Sequence, residues 1–310
     1  MPGLITHYLG GQSVLKSLSQ QVRDYIAVSN KLFDLGTQGP DIFFYYINGF
    51  ITKRLRGVGS WMHDFDLGLF FVEMARIIKL SQNSAEKKLL FAYTAGFLTH
   101  YAVDAHTHPY VFAKTYDPPQ PALKEATRHR DFETSVDVLM LKHMKAITPN
   151  SYNFKEMLTP KTIHKKVAAV GASKAIHHVY GCYITPRDVY RAMIQMARNT
   201  GILQSKTGRR KRWLGAAEQT ILKTKMISAL THMQYVTDSY DYLNINKTEW
   251  SAPWSPDEIR NECFLELFDT AISDAVQMIQ ALYSYNKCSL SKDQFISVVQ
   301  NRSLKTGQNP

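Results

Sequence analysis

The sequence predicts an all-α protein built as a single large helical bundle. Three observations lead there: apolar residues recur at helical spacing over most of the chain, strand-type alternation is scarce, and turn residues cluster between the periodic runs. With 310 residues and 45% hydrophobic content the chain can bury one substantial core. Residues 1–300 are expected to form one domain, completed by helices over 146–300, and 301–310 a flexible tail.

The elements follow in order. "QSVLKSLSQQVRDYIAVSNKLF" places Val14, Leu15, Leu18, Val22, Tyr25 and Ile26 on one helical face. "DLGLFFVEMARIIKL" and "AEKKLLFAYTAGFLTHYAVDAH" continue the pattern, as do "FETSVDVLMLKHMKAI", "PRDVYRAMIQMARNTGIL", "AEQTILKTKMISALTHMQYV" and "PDEIRNECFLELFDTAISDAVQMIQALYSY". Turns are expected at Gly36 to Pro40, at Pro118, Pro119 and Pro121, and in "NKTEWSAPWSPDE". Pro256 followed by Asp257 and Glu258 suits the first turn of a helix, where backbone donors are spare and the dipole is positive.

Charge and cysteine usage narrow the class. Thirty-seven Lys and Arg against 26 Asp and Glu give +11, which favours anions: phosphate esters, nucleic acid or an anionic membrane surface. Cys182, Cys263 and Cys288 show no CxxC spacing and an odd count, so neither a disulfide framework nor a thiolate zinc site is indicated. The N-terminus lacks the basic and apolar regions of a signal peptide, and no apolar stretch reaches the ~18 residues of a transmembrane span. The expected location is cytoplasmic. Nucleic acid is the less favoured partner, since the basic run Lys206 to Trp213 reads first as a solvated face.

The histidines carry the chemistry. His100 and Asp104 are four apart on one expected helix, and His129 and Glu133 repeat the spacing on the next. Each pair presents imidazole nitrogen and carboxylate oxygen on one face, the donors zinc accepts when no thiolate is offered. Their apolar surroundings make unpaired polar groups costly, and a metal accounts for them. His108 continues the line from Asp104 by one turn, whereas His106 points elsewhere and is expected to be a supporting or surface residue. His7, His63 and the Asp41 of a rigid Gly39-Pro40 turn are further candidates. Phe43 to Tyr46 in "DIFFYY" read as core packing, and His177 and His178 as structural.

In their order, the N-terminal His7, "GTQGPD", "MH" at 62–63, "GFLTHYAVDAHTHPY" and His129 with Glu133 resemble the zinc-dependent phospholipase C family, in a superfamily that also holds fungal single-strand nucleases. The resemblance is strong over residues 1 to about 145 and continues weakly through "WSAPWSPDEIRNECFLELFDTAISDAVQMIQAL". It implies an all-α fold with two or three zinc ions in a cleft. Asp41, His63, His100 and Asp104 would bind one ion; His108, His129 and Glu133 a second; and His7 with a shared Asp104 a third. In secreted relatives an N-terminal Trp amine helps that third site, and this chain begins Met-Pro. The implied activity is hydrolysis of a phosphodiester in a phospholipid or another organic phosphate, with Asp41 as base or orienter of the attacking water.

Two rivals keep metals in view. The His63-Asp64 doublet also fits HD-type nucleotide phosphohydrolases, in which Asp64 would be essential. A zinc-stabilised binding or scaffold protein would keep the fold without turnover.

Overall fold

In the computed structural model, residues 3–46, 52–117, 121–204, 209–221, 228–237 and 239–309 are described. They form a predominantly helical body: α1 (Leu4–Ser17), α2 (Gln20–Ile26), α3 (Asn30–Gly36), α4 (Thr52–Asp64), α5 (Leu67–Leu80), α6 (Ser84–Thr115) and α7 (Ala122–Lys145). Then come α8 (Phe154–Met157), α9 (Thr162–Tyr180), α10 (Pro186–Leu203), α11 (Arg209–Ile221), α12 (Phe264–Asn286) and α13 (Lys292–Val299). A two-stranded antiparallel ribbon, β1 (Trp250–Ala252) and β2 (Ser255–Arg260), precedes α12. Among the described residues no helix is long and apolar enough to cross a membrane.

The 32-residue α6 is the axis of the fold. From Leu89 through Ala105 every side chain is buried, which is what a helix apolar on all faces requires. α1, α3, α5 and α12 surround it. Small residues set how closely they approach: a Cβ on Gly96 would stand 2.1 Å from the Phe33 carbonyl oxygen, so α3 and α6 cross backbone to backbone. That crossing brings the turn after α3 onto the histidine face of α6. α7 lies against α1 and α6 and carries the second histidine and glutamate pair past it.

Several expectations are corrected by the fold. The periodic run over 12–33 is not one helix: α1 starts at Leu4 and stops at Ser17, and α2 and α3 follow in short turns. Leu18 is extended and fully packed at the break, so its apolar character serves a corner. Pro256, Asp257 and Glu258 lie in β2 instead of opening a helix; a two-stranded ribbon has free edges where a missing N–H costs nothing. The helix begins at Phe264, behind a capping box of Cys263 and Glu266. In "AEQTILKTKMISALTHMQYV" the helix extends through Ile221, residues 222–227 lie outside the described residues, and 228–230 form a 3-10 turn. α9 answers to no expected run; its Ala168, Ala169, Gly171, Ala172 and Ala175 form a small-residue face that gives a weak apolar signal. Residues 301–309, expected as a flexible tail, fold back onto α4 and α6, with Leu304 completely buried. Of the expected turn prolines, Pro118 and Pro119 lie outside the described residues, as do Lys206 to Gly208 of the basic run.

Candidate metal centre

All eight candidate side chains come together. Donor atoms of His7, Asp41 and His100, of His63, His100 and Asp104, and of His108, His129 and Glu133 lie within 4.8 Å of one another in each set. α6 supplies His100, Asp104 and His108 from successive turns, α7 supplies His129 and Glu133, and α4 ends on His63. His7 comes from α1 and Asp41 from the 3-10 turn Gly39–Phe43.

Asp104 is the hub. Its Oδ1 stands 3.2 Å from His7 Nε2, and its Oδ2 3.1 Å from His100 Nε2 and 3.9 Å from His63 Nε2. Asp41 Oδ1 is 3.2 Å from His63 Nε2. On the far side Glu133 Oε1 is 2.9 Å from His129 Nε2 and 3.6 Å from His108 Nε2. Gly39 makes the inner contact possible: its φ is +49°, and a Cβ there would stand 2.4 Å from the His100 ring.

Backbone carbonyls orient the rings. His63 Nδ1–H donates to the Gly59 carbonyl at 2.7 Å, His100 Nδ1–H to that of Thr37 at 3.1 Å, and His108 Nδ1–H to that of Leu304. A proton held on Nδ1 leaves the Nε2 lone pair for a ligand, the arrangement found around protein-bound zinc. Those three Nε2 atoms, Asp41 Oδ1 and both Asp104 oxygens are buried and make no hydrogen bond, although they approach at 3.1–3.9 Å. Donors about 2.0–2.1 Å from one tetrahedral ion stand about 3.3 Å apart, so this spacing leaves room for a shared cation. The residues fit zinc by donor chemistry and by the otherwise costly burial of polar atoms without hydrogen bonds.

Electrostatics differ across the centre. Burial raises the Asp104 carboxyl, but His100, His108 and His7 overcome this and hold it well below the usual range. Burial opposes charging His100, yet Asp104 and Asp41 raise its pKa above the ordinary imidazole value. Burial and the neighbouring His100 lower His7. Burial pushes His129 down to about 4, and against a similar burial effect His129 holds the Glu133 carboxyl low.

Other expected residues lie elsewhere. His106 turns from the centre to Asp274, 2.9 Å away. Asp64 belongs to none of the donor sets and pairs with Lys305. Phe43 and Tyr46 are core, while Phe44 packs 5.3 Å from the His63 ring. His177 and His178 are exposed, and Trp213 is 80% exposed on α11.

Sequence reasoning missed one carboxylate. Asp137, one turn beyond Glu133 on α7, accepts hydrogen bonds from the Ile5 and Thr6 amides, the Thr6 hydroxyl and His232. It thereby caps α1 at the turn that carries His7. The four-residue spacing of His129, Glu133 and Asp137 was the available signal.

Next to the outer histidine is a cavity of about 250 Å³ lined by Thr115, Asp117, Lys124, Glu125 and Arg128. The Thr115 hydroxyl is 3.3 Å from His129 Nδ1, so this cavity leads to the His129 end of the centre.

A buried histidine and carboxylate centre inside an all-α body defines a helical protein whose grouped side chains could hold metal ions. More specifically, the chain belongs to the zinc dependent phospholipase C family, whose profile matches residues 6–179, a span that contains all eight candidate ligands. Searches of curated proteins and of solved structures found no match.

Proposed function

We propose that the protein is a zinc-dependent phosphodiesterase that hydrolyses a phospholipid or another organic phosphodiester. The observation that carries the reading is the convergence of buried nitrogen and oxygen donors without hydrogen bonds around Asp104. Family membership supports the same reading. The net charge of +11 favours an anionic ester and an anionic membrane surface over a cationic substrate. Three free thiols suit a reducing compartment such as the cytoplasm.

The proposed ligands are His7, Asp41, His63, His100, Asp104, His108, His129 and Glu133, for two or three ions. Bound zinc would supply charge neutralisation for the phosphate and a lowered pKa for the attacking water. Asp41 orients that water and takes its proton, because its carboxylate sits at the edge of the inner donor set on a rigid turn. Water attack forms one P–O bond, the ester P–O bond breaks, and the leaving alkoxide takes a proton. Asp104 keeps His7 and His100 aligned throughout, and Thr115 holds the ring of His129 at the open end. Phe44 against His63 keeps the inner end dry.

The test is hydrolysis of bis(p-nitrophenyl) phosphate and of phosphatidylcholine vesicles by zinc-loaded protein. Asp41→Asn should lower kcat by roughly 10²–10⁴-fold when assayed with zinc in excess, a larger loss than any fall in bound zinc accounts for. Wild-type protein that holds zinc and releases no product from either substrate would leave a binding or scaffold role.

A further inference from the structure

We propose that residues 301–309 are a positioning strap for the metal centre, in which the Leu304 peptide backbone fixes His63 and His108 together. The inference rests on the metal reading above, and it concerns a segment more than a hundred residues beyond the part matched by the family profile.

Leu304 faces two candidate ligands from two different donor sets. Its N–H donates to the His63 carbonyl at 2.9 Å, and its own carbonyl accepts from His108 Nδ1. The Ser303 hydroxyl donates to the same His63 carbonyl at 3.2 Å. The first contacts satisfy a carbonyl in the last turn of α4, which has no helical partner, and so hold the backbone that carries His63. The second selects the His108 tautomer whose Nε2 faces Glu133. The backbone of one residue therefore ties the inner donor set to the outer one.

The strap is built to stay where it is. Gly307 donates to the Ser303 carbonyl and Ser303 to that of Gln308, closing a compact turn. Gly307 has φ +70°, and a Cβ there would stand 2.3 Å from the Ala105 carbonyl oxygen on α6. Pro109, four residues on, has no N–H to cover that carbonyl, so α6 presents a gap that only a glycine approaches this closely. Arg302 anchors the entry to the turn: it pairs with Asp274 at 2.7 Å, lies over the Tyr101 ring, and its amide donates to the Tyr101 hydroxyl. The Leu304 side chain is fully buried beside these contacts. No catalytic role is assigned to any strap residue; they act through His63 and His108.

The experiment compares full-length wild type with Gly307→Val, Arg302→Met and Arg302→Lys. Zinc affinity is read by competition with a chromophoric chelator, and ligand geometry by the visible absorption of the cobalt-substituted protein. Far-UV circular dichroism of each metal-free protein checks the fold. Gly307→Val and Arg302→Met should keep wild-type helicity, bind zinc about 10–100-fold more weakly and change the cobalt spectrum, with Arg302→Lys recovering part of the affinity. Folded variants with wild-type affinity and spectrum would overturn the strap while leaving the metal centre intact. If Gly307→Val does not fold, the two Arg302 variants decide by the same readings. A wild type that takes up neither zinc nor cobalt would overturn the metal reading, and the strap with it. Zinc uptake that weakens in the variants, in a protein without phosphodiesterase activity, would support the strap and refute only the proposed reaction.

Discussion

The inner and outer halves of the candidate centre use the same side-chain types in different surroundings. His7, His100 and Asp104 are sealed, with side chains at 0% exposure, whereas His129 is 14% exposed beside a cavity. Inside, Asp104 and Asp41 face several imidazoles and His100 is raised; at the edge, burial with a single carboxylate partner leaves His129 near 4. The difference teaches that the inner set is organised by charge and the outer set by access. The inner set pays for its burial through Asp104, and the outer set is the face that the proposed substrate would reach.

The largest expected effect breaks the inner half. Asp104→Asn removes the charge shared by the inner histidines. Metal content should fall by at least one ion per chain and turnover of bis(p-nitrophenyl) phosphate by roughly 10³-fold or more. Mass-spectrometric metal analysis and initial rates check this, and unchanged zinc would refute the hub role. His129→Ala tests the other half. It should lower zinc by a fraction of the total, with the inner set still loaded, and activity by about 10²-fold. Loss of all zinc in this variant would show that the two halves do not bind separately.

A smaller effect separates the pH dependence of the fold from that of the centre. Asp34, on α3, is buried and hydrogen-bonded by Gln12. Burial pushes its carboxyl up to about 7. Because the folded pKa lies above the unfolded one, the native state holds the proton more tightly. Asp34's contribution to stability is therefore present below about pH 4 and is lost as pH rises from there to about 7. Asp34→Asn should remove this slope and stabilise the metal-free protein at pH 8 by on the order of 1–4 kcal/mol. Urea unfolding between pH 5 and 8 reads the slope; parallel curves for the two proteins would contradict the assignment.

The smallest effect is expected at Asp64. It lies outside both halves, and its pair with Lys305 is half exposed. Asp64→Asn should change kcat/KM by less than about threefold, as for an exposed ion pair. A loss of a hundredfold would favour the HD-type reading instead.

How much was legible follows from the range over which each signal acts. His100 with Asp104 and His129 with Glu133 could be read because a helix turns a spacing of four into one face. His7, Asp41 and His63 could be named singly, but only the resemblance grouped them, since no local rule joins residues on three separate elements. Pro256 misled because a proline opens a helix or sits on a free edge equally well; the capping box at Cys263 held the better signal. Asp137 extended a visible periodicity that ended one residue type too soon.

By itself the sequence determined the helical class, the histidine face of α6 and the donor types, because periodicity and chemistry are written locally. Only the tertiary structure decided that the Thr37, Gly59 and Leu304 carbonyls orient the rings, because every residue has a carbonyl and none is marked in the sequence. It also decided that residues 301–309 fold back onto α4 and α6 beside His63 and His108. That segment is short and polar and has no helical period; its place depends on a glycine meeting the carbonyl gap that Pro109 leaves in a helix two hundred residues away.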